Sequence, residues 1–264
     1  MYEGYETLAI SASERVLTVT LNRPEVRNAT NTLMHQELVR VFAEIRADKE
    51  INVVVLTGAG EKAFSAGGDI EALRAAYTNQ ARWADAMLEA RAILDGLVSL
   101  EQPVIARVNG DAYGLGATLA LFCDIIIAVD TARIADPHVN VGLVAGDGGA
   151  VIWPLLIGNA KAKRYLLTGD PIVASEAAQI GLISESVPRE QLDERVNSLA
   201  ARLAAGATAA IRGTKKAVNM QLRQQIEGSI EGHLGLETLS HLTEDHMEAI
   251  NAFSERRPPR FQGR

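Results

Sequence analysis

Apolar and polar positions alternate with a period of two through Val16-Leu17-Thr18-Val19-Thr20-Leu21, which sends Val16, Thr18 and Thr20 to one face and Leu17, Val19 and Leu21 to the other. Such alternation predicts a strand with one buried side. An earlier strand over 7–11 is joined to it by the polar turn Ala12-Ser13-Glu14-Arg15. The period then lengthens. Met34, Leu38, Val41, Phe42 and Ile45 form one stripe at helical spacing, so a helix follows the Asn28–Asn31 segment. Continuous β-branched runs at Val53-Val54-Val55-Leu56, Val104-Ile105-Ala106-Arg107-Val108 and Ile125-Ile126-Ile127-Ala128-Val129 predict buried strands. Between them lie a short helix, a longer one over 80–98 and a helix after the second glycine turn, and residues 147–157 read as helical. Ser175 is the expected N-cap of a further helix that Gly181 stops, with a strand over 182–187. After Pro188 the pattern is helical only: Leu192, Val196, Leu199 and Leu203 mark one helix ending at Gly206, and 208–223 and 227–254 carry two or three more. The alternation defines an α/β protein, with a body over 1–190 and a helical region over 191–264.

Two glycine-rich turns stand out in this order. Ala66-Gly67-Gly68-Asp69 and Asn109-Gly110-Asp111-Ala112-Tyr113-Gly114-Leu115-Gly116 each follow a β-branched run and lead into a helix. Glycine permits a sharp turn and close approach to the backbone N–H groups. Either turn alone is an ordinary strand–helix connection. As a pair, they can aim two N–H donors at one oxygen, the geometry that stabilises a developing oxyanion.

Composition narrows the function. With 26 basic and 33 acidic side chains the formal net charge is -7 and no basic stripe is present, which argues against nucleic-acid binding. The single cysteine, Cys123, lies in an apolar run and is expected to be a buried core residue. The N-terminal residues lack an apolar signal core, and Asp124 interrupts the longest apolar run, so no membrane span is expected and the expected location is cytoplasmic.

The chain resembles the enoyl-CoA hydratase/isomerase (crotonase) superfamily. The resemblance is carried by Leu21-Asn22-Arg23-Pro24 with Arg27-Asn28-Ala29, by Lys62 to Ile70, and by the second glycine turn through Phe122-Cys123-Asp124-Ile125. Leu167-Thr168-Gly169-Asp170 with Ala174 to Ala177 and Gly181 to Ile183, and the tail Phe253 to Phe261, complete it. It implies a spiral of ββα units, a C-terminal helical trimerisation region, and a homotrimer or dimer of trimers. It implies an acyl-CoA substrate with coenzyme A as part of that substrate, no permanently bound cofactor and no metal. The thioester carbonyl would sit between the backbone N–H groups of Gly68 and Leu115, while Arg27, Ala66, Asp69, Ile70, Arg256 and Arg257 are the expected CoA-binding residues.

The family's hydratases carry two glutamates, and the matching positions here are Thr118 and His138. Thr118 is expected to line the pocket. Histidine titrates near neutrality and is the commonest general acid/base. Nine residues beyond His138 lies Asp147, in Gly146-Asp147-Gly148-Gly149, read both as a helix N-cap and as the acceptor orienting the ring. The pair resembles the 6-oxocamphor-hydrolase branch, which cleaves a C–C bond of a β-diketone, and an aspartate in this glycine turn is similar to the naphthoate synthase branch. The reading is therefore an enolate-forming enzyme with a His138–Asp147 pair. The alternatives are a β-diketone C–C hydrolase or a CoA-binding pseudoenzyme. His35, His233, His241 and His246 show no metal-binding spacing and are expected at the surface or an interface.

Overall fold

Period-two sorting of the β-branched runs builds the larger of two sheets. The computed structural model describes residues 2–264. Its strands are β1 (Leu8–Ser13), β2 (Val16–Leu21), β3 (Val53–Gly58), β4 (Ala63–Ser65), β5 (Val104–Val108), β6 (Asp111–Tyr113), β7 (Ile125–Val129), β8 (Arg133–Ala135), β9 (Ile172–Val173) and β10 (Glu185–Val187). Its helices are α1 (Thr32–Ala47), α2 (Ile70–Tyr77), α3 (Gln80–Val98), α4 (Leu115–Leu121), α5 (Gly149–Thr168), α6 (Ala174–Gln179), α7 (Arg189–Ala204), α8 (Thr208–His241) and α9 (Glu244–Ser254). One sheet runs β1-β2-β3-β5-β7-β10, the other β4-β6-β8-β9. In the first, β1 is antiparallel to β2 and the remaining pairs are parallel, with Leu17 opposite Val54, Val55 opposite Ile105 and Ala106 opposite Ile126.

All six residues of β3 are buried because both faces of this sheet are covered. Val54 and Leu56 join Leu17, Ala106 and Ile126 in the main core with α1 and α3. Val53, Val55, Ile105 and Ile127 face the other way, onto Leu192, Val196 and Leu199 of α7. After β3 the chain crosses to the small sheet as β4 and enters α2 and α3; β5, β6 and α4 repeat the move, then β7, β8 and α5. Each ββα turn thus adds one strand to each sheet, which is the expected spiral. Among the described residues, no helix is long and apolar enough to cross a membrane. Cys123 is buried, as expected.

Some boundaries differ from the sequence reading. Leu182 and Ile183 are not in a strand: both donate to the Ala177 carbonyl at 2.8 and 3.4 Å, closing the end of α6, and β10 starts only at Glu185. Ser175 is not the cap of α6, because Ala174 is already helical and tied to the Ala132 carbonyl at 2.8 Å. Helix α5 continues to Thr168 across a kink at Gly158 (φ 75°, ψ 157°). Helix α8 runs unbroken through the expected gap after residue 223, since its buried face continues from Ile226 through Ile230 and Leu234.

Asn28, fully buried, locks the segment that carries the first glycine turn. Its Nδ2 donates to the Ala59 and Ala63 carbonyls, each at 3.0 Å, and its Oδ1 accepts from the Arg23 N–H at 3.1 Å. An unpaired buried group costs about 1–3 kcal/mol. Asn28→Ala is therefore expected to lose about 2–4 kcal/mol in urea unfolding; a loss below about 1 kcal/mol would contradict this role.

Candidate active site

The two glycine turns lie back to back. Gly67 has φ +83°, and a Cβ there would stand 2.6 Å from the Tyr113 carbonyl oxygen and 3.4 Å from the Gly114 Cα. Gly114 also has positive φ (+51°). The first turn is held in place by Ser65, whose Oγ accepts from the Gly67 N–H at 3.2 Å and donates to the Asn28 carbonyl at 2.8 Å. Thr30 fixes its outer edge: Thr30 N donates to the Gly67 carbonyl at 2.8 Å and the Thr30 carbonyl accepts from Asp69 N at 3.0 Å. Gly68 and Leu115 border one cavity of about 640 Å³. Neither of their N–H groups donates to an acceptor among the described residues.

His138 opens a 3₁₀ turn over His138–Val141, directly after β8, Asp136 and Pro137. Its Cε1 lies 3.9 Å from where a Gly114 Cβ would be, so the ring stands over the second glycine turn. Its Nδ1–H donates to Oδ1 of Asp136, whose side chain is completely buried. Its Nε2 lies 3.6 Å from Oδ2 of Asp147. The orienting acceptor is thus Asp136, and the expectation that Asp147 orients the ring is corrected. Asp147 faces the opposite nitrogen, across the cavity wall. Nor does it cap α5, whose N-cap is Gly148 with no side-chain bond. The flanking glycines admit these contacts. A Cβ at Gly149 would fall 1.7 Å from Asp136 Oδ2, and one at Gly146 would fall 2.8 Å from Glu237 Oε2.

Glu237, on α8, brings a further carboxyl group to the cavity beside Asp147 and was not anticipated. Its signal in the sequence is a charged residue within the buried stripe Ile226, Ile230, Leu234, Glu237, His241. Asp136 had only its place two residues before His138, and the bend at Pro137 (φ -90°, ψ 28°) is what turns it back onto the ring.

Burial dominates the electrostatics. For His138, burial alone would disfavour the cation, but the carboxylates of Asp136 and Asp147 outweigh it and raise its pKa well above the usual value. Burial raises Asp147 against the lowering pull of His138. Burial, reinforced by Asp147, pushes Glu237 up to about 8. These three groups, His138, Asp147 and Glu237, are therefore shifted towards their protonated forms. The cluster can give or take a proton at a point beside the two free N–H groups.

The structure places Arg27, Ala66, Asp69 and Ile70 on the same cavity, with Asp69 also capping α2 through the Glu71 N–H at 3.0 Å. Thr118, expected to line the pocket, is instead fully buried; its Cγ2 would be 2.7 Å from a Cβ on Gly148. Its hydroxyl, close to Asp147, works against the effect of burial on that carboxyl group. Arg256 and Arg257 do not reach the cavity. Arg257 is paired with Glu248, at 2.9 Å from Nη2 to Oε2, and with Glu255. His241 and His246 are not surface residues. Both are fully buried, His241 stacked on Trp83 at 3.7 Å between centroids and His246 hydrogen-bonded through Nδ1 to the Val141 carbonyl at 2.7 Å. That bond ties α9 to the end of the turn bearing His138. His35 lines the cavity. Asp136, His138 and Asp147 each bring one ligand-type atom within 4.8 Å of the others.

This combination of spiral fold and paired glycine turns defines a known class. The profile of the Enoyl-CoA hydratase/isomerase family matches residues 11–264, and the chain belongs to that family. It is 34% identical over 261 residues to the 2,3-dehydroadipyl-CoA hydratase of Escherichia coli, covering 97% of this chain and 99% of that one. Among solved structures, an enoyl-CoA hydratase/isomerase from Mycobacterium paratuberculosis superposes with TM-score 0.91 at 34% identity, over 95% of this chain and 99% of that one. A β-diketone hydrolase from Anabaena sp. PCC 7120, bound to (S)-3-oxocyclohexyl acetic acid, superposes with TM-score 0.84 at 31% identity, over 90% of this chain and 95% of that one.

The raised pKa values fix the sign of a pH effect. Glu237 moves from 4.5 in water to about 8 when folded, so the folded chain binds more protons than the unfolded chain between these values. Stability should therefore fall as pH rises through that window. The raised His138 acts in the same direction, its contribution being complete below its unfolded value of 6.5 and lost at higher pH. In urea unfolding at pH 5 and pH 9, Glu237→Gln should lose less stability between the two than the wild type. An equal or steeper loss would refute the assignment.

Proposed function

We propose that this chain is an enzyme that forms or collapses an enolate on an acyl-CoA thioester, with His138 as the acid/base group. Gly68 and Leu115 hold the carbonyl oxygen through their N–H groups, where negative charge develops. His138 Nε2 exchanges the proton, Asp136 holds the ring through Nδ1, and Asp147 with Glu237 supplies a neighbouring protonated or charged carboxyl group. Arg27 at the cavity edge offers a cation to the CoA portion. The observation that carries the reading is His138 bonded to a buried carboxylate on one nitrogen and facing a second across the other, beside two unengaged N–H groups. Thr118 and His138 at the two glutamate positions speak against the family's two-glutamate water addition. An apolar wall of Leu73, Met87 and Leu143 suits the acyl group. The expected trimer or dimer of trimers fits apolar side chains exposed on α8 and α9, Leu236, Leu239 and Phe253.

A second reading is favoured by the same flanked imidazole and by the likeness to the Anabaena β-diketone hydrolase. In hydrolytic C–C cleavage, water adds to one carbonyl carbon and gives its proton to the His138–Asp147 group. The C–C bond then breaks, its electron pair passes into the enolate of the other carbonyl, and a proton is returned to carbon. The products are a carboxylic acid and a ketone.

A turnover screen separates the readings: crotonyl-CoA, a 3-enoyl-CoA, a cyclic β-diketone and its CoA ester. General acid–base catalysis is worth about 10²–10⁴-fold. With the substrate turned over, His138→Ala should lower kcat by that factor while KM changes little. Asp147→Asn should have a similar or smaller effect. Rapid hydration of crotonyl-CoA by His138→Ala would rule out His138 as the proton-transfer group, and a chain inactive on every compound would favour a CoA-binding pseudoenzyme.

A further inference from the structure

A second pair of polar groups lies along the same cavity, away from His138. His35 sits in the second turn of α1, between the core residues Met34 and Leu38, and lines the cavity. Opposite it, α3 contributes Ala86, Met87 and Ala90 to the wall, with Glu89 behind them. His35 Nδ1 lies 3.6 Å from Glu89 Oε2, too far for a hydrogen bond. Both atoms are buried, and neither has a hydrogen-bond partner among the described residues. The other carboxylate oxygen, Oε1, is held by the Gln36 Nε2 at 3.1 Å, so Glu89 is fixed in place. Two polar atoms without partners thus face each other beside an apolar stretch of the wall formed by Trp83, Ala86, Met87 and Ala90, and closing their contact would satisfy both.

We propose that His35 and Glu89 form a polar subsite that reads a hydroxyl group on the substrate, at a point distinct from the reacting carbonyl. A shortening of the His35–Glu89 contact on binding gives Nδ1–H to the Glu89 carboxylate. Nε2 then presents its lone pair to the cavity and accepts from the substrate's O–H. Burial holds His35 down to about 4, so the ring is neutral at physiological pH and acts as this acceptor rather than as a cation. An anionic headgroup would find no charge here, and an unsubstituted alkyl chain would leave Nε2 unpaired. The subsite deepens the proposed function, in that it takes the cavity to be the substrate's, but it does not depend on the role of His138.

The test is binding, with His138→Ala protein as host so that turnover does not intervene. Calorimetry would compare butyryl-, hexanoyl- and octanoyl-CoA with their terminally hydroxylated counterparts, and cyclohexanone with 4-hydroxycyclohexanone as a pair without CoA. In at least one pair the hydroxylated member should bind about tenfold more tightly. His35→Leu should erase or reverse that preference while leaving the unsubstituted member bound as well or better. His35→Gln, which retains an acceptor, should keep part of it and serves where the leucine variant fails to fold. Equal affinity within every pair, preference for the unsubstituted members, no binding by any pair, or a preference that survives in His35→Leu would each overturn the proposal. The His138 reading is judged separately by turnover of the wild type and stands or falls on that result.

Discussion

Three buried carboxyl groups crowd around one largely buried imidazole, and most of the local architecture answers to that crowding. An isolated buried charge is costly, and the cost falls only if opposite charges or protons are brought in. Here Asp136 compensates His138 directly, while Asp147 and Glu237 are pushed towards their neutral forms. The fold supplies each member from a different element: the end of β8, a 3₁₀ turn, the approach to α5 and the middle of α8. Small residues make the assembly sterically feasible, since the Asp136 carboxyl occupies the volume that a side chain on Gly149 would fill.

The proposed chemistry would fall into two halves. The half proposed to bind oxygen is backbone, in two turns pressed together at Gly67 and Tyr113, and would be indifferent to the side chain at Leu115. The half proposed to handle protons is all side chain. A scaffold of this kind can keep the first half and exchange the second, so the fold by itself does not fix a reaction. Glutamates at the Thr118 and His138 positions would face quite different surroundings: Thr118 is sealed beneath the Gly148 turn, and His138 is already committed to Asp136.

Strands and the order of elements were legible because they depend on local periodicity. Val53 and Val55 part company from Val54 and Leu56 across the sheet as period two requires. The glycine turns were legible too, and so were His138 and Asp147 as members of one site. What the sequence concealed was the pairing. Asp136 lies next but one to His138, and only the bend at Pro137 makes it the ring's partner. Glu237 comes from a helix far along the chain, where only its place among Ile230, Leu234 and His241 marks it as buried. His241 and His246 misled because a neutral imidazole can be buried against other rings: His241 packs flat on Trp83, and His246 gives its Nδ1–H to the Val141 carbonyl. Boundaries shifted where carbonyls needed closing, as at Ala177.

The stacking of Trp83 on His241 also gives the molecule an optical property. The chain has two tryptophans. Trp153 is fully enclosed in the main core, whereas Trp83 forms part of the cavity wall, its ring against the His241 imidazole and its Nε1–H on the Thr238 hydroxyl at 3.0 Å. Indole emission responds to local polarity and to contact with water. One fluorophore is therefore enclosed and the other borders the cavity, so a ligand that fills the cavity against Trp83 would be followed by intrinsic fluorescence without a label.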